Sequence, residues 1–240
     1  MDIATQQVVD QWNRRIDQLE SVTNNLANAS SLGYKSFRMH IIKLIQPSEI
    51  PDVQNEEYLP TFHTNFSQGA IQATGNPLDA AIEGDGFFAV QTTFGVAYTR
   101  RGNFSLNKNG DLVTDSGENV LNKMGSKINI TGGKVEIGGE GDILVDGRKV
   151  DTLKVVSFSD KTKLVRLPGC MFQDPGTAGP VEEKNLEIHA EHVETSNVNV
   201  ISEMMQMINV QRMVEFYQKN MQAISELDKL SSSRIGRLYS

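Results

Sequence analysis

The chain has 240 residues, of which 38% are hydrophobic and 7% aromatic, and a formal net charge of −7. That composition supports a core but leaves part of the chain outside it. No Lys or Arg occurs from Leu44 to Thr99, whereas Glu49, Asp52, Glu56, Glu57, Asp79, Glu83 and Asp85 all fall there. Such an acidic flank is repelled by phosphate backbones and argues against a nucleic-acid partner. Cys170 is the only cysteine, which excludes an intramolecular disulfide and a thiolate metal cluster and leaves a small apolar filler. No stretch approaches the roughly 20 apolar residues of a membrane span. The N-terminus is amphipathic, without the charged start and apolar block of a cleavable signal peptide. The expectation is a protein that stays in the cytoplasm or is exported with its N-terminus intact.

The first predicted element is a helix from about Ile3 to Asn28. Val9, Trp12, Ile16, Leu19, Thr23 and Leu26 recur at gaps of three and four and share one face. The small polar run NASSLG, ending at Gly33, stops it. Residues 1–35 thus form a helix and a turn. An extended acidic linker is expected over 36–68, because Pro47, Pro51 and Pro60 interrupt the stretch from Ile45 to Thr64.

Residues 69–193 change character. Short runs such as FFAV at Phe87, DLVT at Asp111, KVEI at Lys134, DILV at Asp142 and LKVVSF at Leu153 are separated by glycine. Asn109-Gly110 and Asp146-Gly147 are dipeptides favoured in two-residue hairpin turns. Short strands with frequent turns predict an antiparallel β body.

In 194–240 the helical period returns. Val200, Met204, Met207, Val210, Val214, Tyr217, Met221 and Ile224 follow gaps of four and three, alternating strictly from Met207 as in a coiled-coil seam. Asn197 or Asn199 is placed to cap it, with Glu203 in the first turn. The fold class is therefore α+β, an antiparallel β-rich central domain flanked by amphipathic terminal helices. Isolated helices are marginal in water, so each stripe needs cover. The cover is expected from the other terminus, from the β body or from another subunit, and the fold class takes it as a coiled-coil-like pairing of the helices on assembly. The Met-rich C-terminal stripe suits packing against unlike neighbours.

NNLANASSLGYKS, Asn24 to Ser36, resembles the N-terminal signature of the bacterial flagellar rod and hook proteins. GNPLDAAIEGDGFFAV from Gly75 and AYTRRGNFSLNKNGDLVT from Ala97 are similar to their shared β segment. VETSNVNVISEMMQMINVQRMVEF, from Val193, resembles their C-terminal signature. The short interval from Gly33 to Gly75 and the PLD of Pro77 to Asp79 look like the proximal rod branch, while ETSNVNV is also at home in the distal one. The resemblance implies a structural subunit of the basal-body rod, exported unfolded by the flagellar type III apparatus across the periplasmic space. Its partners would be copies of itself and other rod and hook proteins, with no small-molecule substrate, no cofactor and no enzymatic activity. The expected assembly surface comprises Val9, Trp12, Ile16, Leu19 and Leu26, with Asn24, Asn25 and Asn28 at the signature turn. On the last helix it comprises Val200, Met204, Met207, Val210, Val214, Tyr217, Met221 and Ile224. Asn24, Asn25, Asn28, Asn197 and Asn199 are read as helix-end and turn chemistry. A heterologous contact that does not close generates a helical array.

Other chemistry finds little support in the residues. His189 and His192, with Glu187 or Glu191, fit a metal site only if they lie on a helix; an extended segment sends the rings to opposite faces. No third ligand is marked out, and His40 and His63 lie in separate contexts. GDGFF and GGKVEIGGEGD lack the Lys-Ser/Thr and following helix of a phosphate loop. Asp111, Asp115 and Glu118 lack calcium-loop spacing. A free-standing adhesin or binding module would account for the β body but not for the terminal helices.

Overall fold

The computed structural model describes residues 3–47, 54–182 and 187–238. They form two compact units, one made of Met1–Ala27, Phe37–His63 and Asn199–Ser240, the other of Asn28–Ser36 and Thr64–Val198.

The first unit holds helix α1 (Ile3–Ala27), strands β1 (Phe37–Pro47) and β2 (Gln54–Thr64), and the C-terminal helix spanning Val200–Leu238. The two helices pack along each other, and β1 pairs with β2 as a two-stranded sheet. The segment expected as an irregular acidic linker is thus largely a paired ribbon. Its prolines are tolerated for positional reasons. Pro47 ends β1, and Pro60 lies within β2 of a ribbon that has two strands among the described residues, where edge positions accept a residue lacking N–H. Phe37 and Phe62 meet edge to face at 5.9 Å between ring centroids, and His40 and His63 at 5.2 Å. Residues 48–53 of the expected linker, with Pro51, lie outside the described residues.

The second unit is built from short strands. They are β3 (Ile71–Ala73), β4 (Ala80–Glu83), β5 (Phe87–Thr92), β6 (Gly95–Thr99), β7 (Ser105–Leu106), β8 (Leu112–Val113) and β9 (Asn119–Val120). There follow β10 (Val135–Ile137), β11 (Asp142–Val145), β12 (Arg148–Thr152), β13 (Val155–Phe158), β14 (Val165–Leu167) and β15 (Met171–Gln173). The last are β16 (Pro180–Glu182), β17 (Glu187–Ala190) and β18 (His192–Glu194), after which the C-terminal helix is α2. The main sheet runs β14-β15-β6-β5-β9-β8-β7, with β13 joining β5 and β16 off that path. β10-β11-β12 form a separate antiparallel sheet, while β17 pairs with β4 and β18 with β3.

β5 explains why FFAV reads as an unbroken apolar run: Phe87, Phe88, Ala89 and Val90 are all buried. Phe87 faces an aromatic cluster with Phe66, Phe158 and Phe172, its ring 5.9 Å from each. Phe88 turns to the other side, against Phe104 at 5.1 Å and a core containing Ile82, Leu112, Ile143 and Leu153.

The two expected turns differ. At Asp146-Gly147 both residues take positive φ, 50° and 75°, and Val145 faces Arg148, as a two-residue hairpin requires. At Asn109-Gly110 only Gly110 does, and the Gly110 N–H reaches back to the Asn107 carbonyl. The Asn107 side chain accepts from the N–H groups of Asn109 and Asp111, so a longer turn replaces the expected one.

Candidate assembly surface

The stripe on α2 is set by strict alternation. From Met207, the residues Val210, Val214, Tyr217, Met221 and Ile224 are buried or half-buried, and counting back by four reaches Glu203. Val200 and Met204, placed on the same stripe by sequence, are 41% and 52% exposed. The seam therefore takes in a buried acid where the sequence reading took a methionine. On α1, Val9, Trp12, Ile16, Leu19 and Leu26 are half-buried, and the tightest positions are Ser21, Val22 and Asn25. Thr23 is exposed and donates its hydroxyl to the Leu19 carbonyl at 2.7 Å.

Asn25 is fully buried and acts as a clamp inside the unit. It accepts from the Phe37 N–H at 3.1 Å and donates to the Phe37 carbonyl at 2.8 Å, pairing with β1 as another strand would. Its amide also lies 3.5 Å from Glu203 Oε2, and Arg38 stands 3.7 Å from Glu203 Oε1. Asn24, by contrast, is exposed. Asn28 accepts the Ser31 hydroxyl at 3.1 Å in the signature turn. Asn199 caps α2, accepting from the Ser202 N–H at 3.0 Å. Asn197 accepts from the Ser36 N–H at 2.8 Å and donates to the Asn65 and Ser67 carbonyls.

A second apolar row lies on the first half of α2, roughly opposite the seam at 100° per residue, with exposed Arg212 between Ile208 and Phe216. Ile201, Met205, Ile208 and Phe216 are 72%, 57%, 50% and 60% exposed. Single exposed apolar side chains need no explanation, but a row at helical spacing does. On α1, Ile16, Leu19, Glu20, Thr23, Asn24 and Ala27 line an open groove of about 340 Å³. Three of the expected assembly residues, Ile16, Leu19 and Asn24, border it.

In the β body, three signature segments meet at one buried charge cluster. The Glu194 carboxylate receives Lys35 Nζ at 2.5 Å, Arg100 at 3.2 Å and the Gly69 N–H at 2.8 Å. Arg100 also donates to the carbonyls of Ile82 and Gly84, and Lys35 to that of Ser67. Burial lowers the pKa of both cations, and the Glu194 charge opposes it. Sequence reading found the motifs but not this contact, because no local period marks a pairing across the whole chain.

Cys170 is half-buried at φ 61°, and burial pushes its thiol pKa up, away from reactivity. Among the described residues no helix is long and apolar enough to cross a membrane.

The described residues thus comprise a β body closed around apolar side chains, joined in sequence to a helix pair with an apolar row left over. The Flagellar hook protein FlgE/F/G D1 domain family matches residues 81–145, and the Flagellar basal body rod FlgEFG protein C-terminal family matches residues 189–234. The flagellar basal-body rod protein FlgF of Caulobacter vibrioides is 30% identical, over 92% of this chain and 93% of that protein. FlgG of Bacillus subtilis is 28% identical over 89% and 90%, and FlgG of Buchnera aphidicola subsp. Schizaphis graminum is 31% identical over 88% and 91%. The chain belongs to the flagellar basal-body rod protein family and is a structural subunit. The reading as a free-standing adhesin has no support among these relatives.

Proposed function

We propose that the chain polymerises into the basal-body rod through its terminal helices. The observation that carries this reading is that α2 exposes an apolar row, Ile201, Met205, Ile208 and Phe216, on the side opposite the one that α1 covers, with Arg212 set into the row. The exposed row of Ile201, Met205, Ile208 and Phe216 suits the groove beside Ile16 and Leu19 on another copy. A ridge and a groove on one unit make a heterologous contact, which propagates instead of closing. The assembled helices then form a coiled-coil-like core, to which the seam of Met207 to Ile224 and the Val9 to Leu26 face contribute.

The partners in this reading are further copies, other rod and hook proteins, and the flagellar type III export apparatus. The location is the basal body across the periplasmic space. Between the two branches, the short interval from Gly33 to Gly75 favours the proximal rod protein.

The test is complementation of a strain lacking the subunit. Ile208→Asp with Phe216→Asp should leave the melting temperature of the purified protein unchanged and abolish rod assembly and motility. Normal motility of that variant would sink the proposal.

A further inference from the structure

β4 and β17 are antiparallel neighbours in which Glu83 lies directly opposite Glu187. Two carboxylates at directly paired positions repel each other and weaken a strand pairing. His189, two residues beyond Glu187, shares its face of the sheet and meets the Glu83 carboxylate through Nε2. One donor atom from each of Glu83, Glu187 and His189 lies within 4.8 Å of the other two. Both glutamates are exposed and His189 is half-buried, so the cluster is open to solvent.

We propose that Glu83, Glu187 and His189 form a binding site for a divalent first-row transition cation, with Zn(II) the best fit. One imidazole nitrogen and two carboxylate oxygens are a donor set that suits zinc. Around a tetrahedral zinc, ligand atoms stand about 3.3–3.6 Å apart, so the site needs only small side-chain adjustment. The charge balance points the same way. Two carboxylates beside a neutral imidazole carry two negative charges, which a dication neutralises. The bound ion staples β17 to β4 and leaves a coordination position facing outward.

The helical spacing that sequence would require of His189 and His192 is not needed. Glu191, at φ 60°, breaks the run between β17 and β18, and the two rings come within 5.8 Å even though the segment is extended. The missing third ligand is Glu83, 106 residues earlier in the chain.

The test is a Zn(II) titration of the purified full-length chain by calorimetry, repeated with Co(II) followed by its visible absorption. One equivalent should bind, and His189→Ala or Glu83→Gln should weaken binding by about tenfold or more while far-UV circular dichroism stays unchanged. The double variant His40→Ala with His63→Ala removes the other histidine pair and should bind as the parent does. Absence of saturable binding would overturn the site. So would parent-like affinity in His189→Ala, or loss of binding confined to the His40/His63 variant.

Discussion

Lys35 Nζ lies 2.5 Å from Glu194 Oε1, and neither side chain reaches solvent. The pair joins the N-terminal signature turn to the last strand of the body across 159 residues of sequence. Charges taken out of water are tolerated when they are paired, and here Arg100 and the Gly69 N–H complete the partners of the Glu194 carboxylate.

Removing the acid strands two buried cations. Glu194→Ala should therefore destabilise the protein by about 3–5 kcal/mol, read as a lower urea midpoint with an unchanged slope. Glu194→Gln should also destabilise, since the amide keeps the shape but not the charge. A parent-like midpoint for either variant would mean that the cluster contributes nothing to the fold.

Gly102 shows a second constraint inside the shared β segment. A Cβ built there would stand 1.6 Å from the Ala80 carbonyl oxygen and 3.3 Å from Phe88 Cε2. Its own carbonyl accepts the Ala80 N–H at 2.9 Å, so the two backbones cannot separate without losing that bond. Gly102→Ala should cost about 3 kcal/mol or more, or prevent folding. Gly117→Ala is the comparison: nothing lies within 4 Å there, so its loss reports only the strain of φ 95°. If both lowered the melting temperature equally, the close approach at Gly102 would not be what matters.

Much of this was legible in the sequence because it is encoded locally. The terminal helices follow from a 3.6-residue period, and the Asp146-Gly147 hairpin from two residues that accept positive φ. What escaped depends on partners far along the chain. The β1–β2 ribbon was hidden because prolines and acids argue locally for irregular chain, while its stability comes from strand pairing. Glu203 read only as an acid in the first turn of a helix, since nothing near it announces Asn25 and Arg38 as neighbours. Glu83 could not be joined to His189 without the register of β4 and β17. At Asn109-Gly110 the dipeptide was a true turn signal, but Asn107 captured the backbone N–H groups and lengthened the turn.

The two faces of α2 should separate stability from assembly. Val210 and Val214 are 4% and 8% exposed on the seam against α1. Val214→Ala should lower stability by about 1–2 kcal/mol, through lost burial and a residual cavity. Met205→Ala, on the open face, should change stability by less than about 0.5 kcal/mol and weaken only association. Thermal unfolding and sedimentation measured on both variants give the comparison. The reverse pattern would show that the face taken as open is the one that holds the unit together.

The acid response should be set by carboxylates held in ionised form. Asp174 accepts the N–H groups of Ala178, Gly176 and Thr177 on one oxygen at 3.0, 2.8 and 3.0 Å, and these bonds hold its pKa below the ordinary range. Asp142 is lowered in the same direction, chiefly by Lys149. In the unfolded chain both recover the ordinary value of about 3.9, so the unfolded state takes up protons first as the pH falls. Their contribution is fully present above that value and is lost as the pH drops through the lower, folded-state value. The melting temperature should hold roughly level from about pH 7 to 5 and fall below about pH 4. Asp174→Asn cannot titrate and should show a shallower fall, with a lower starting point because its amide is a weaker acceptor than the carboxylate. A fall as steep as the parent's would place the acid sensitivity in other groups.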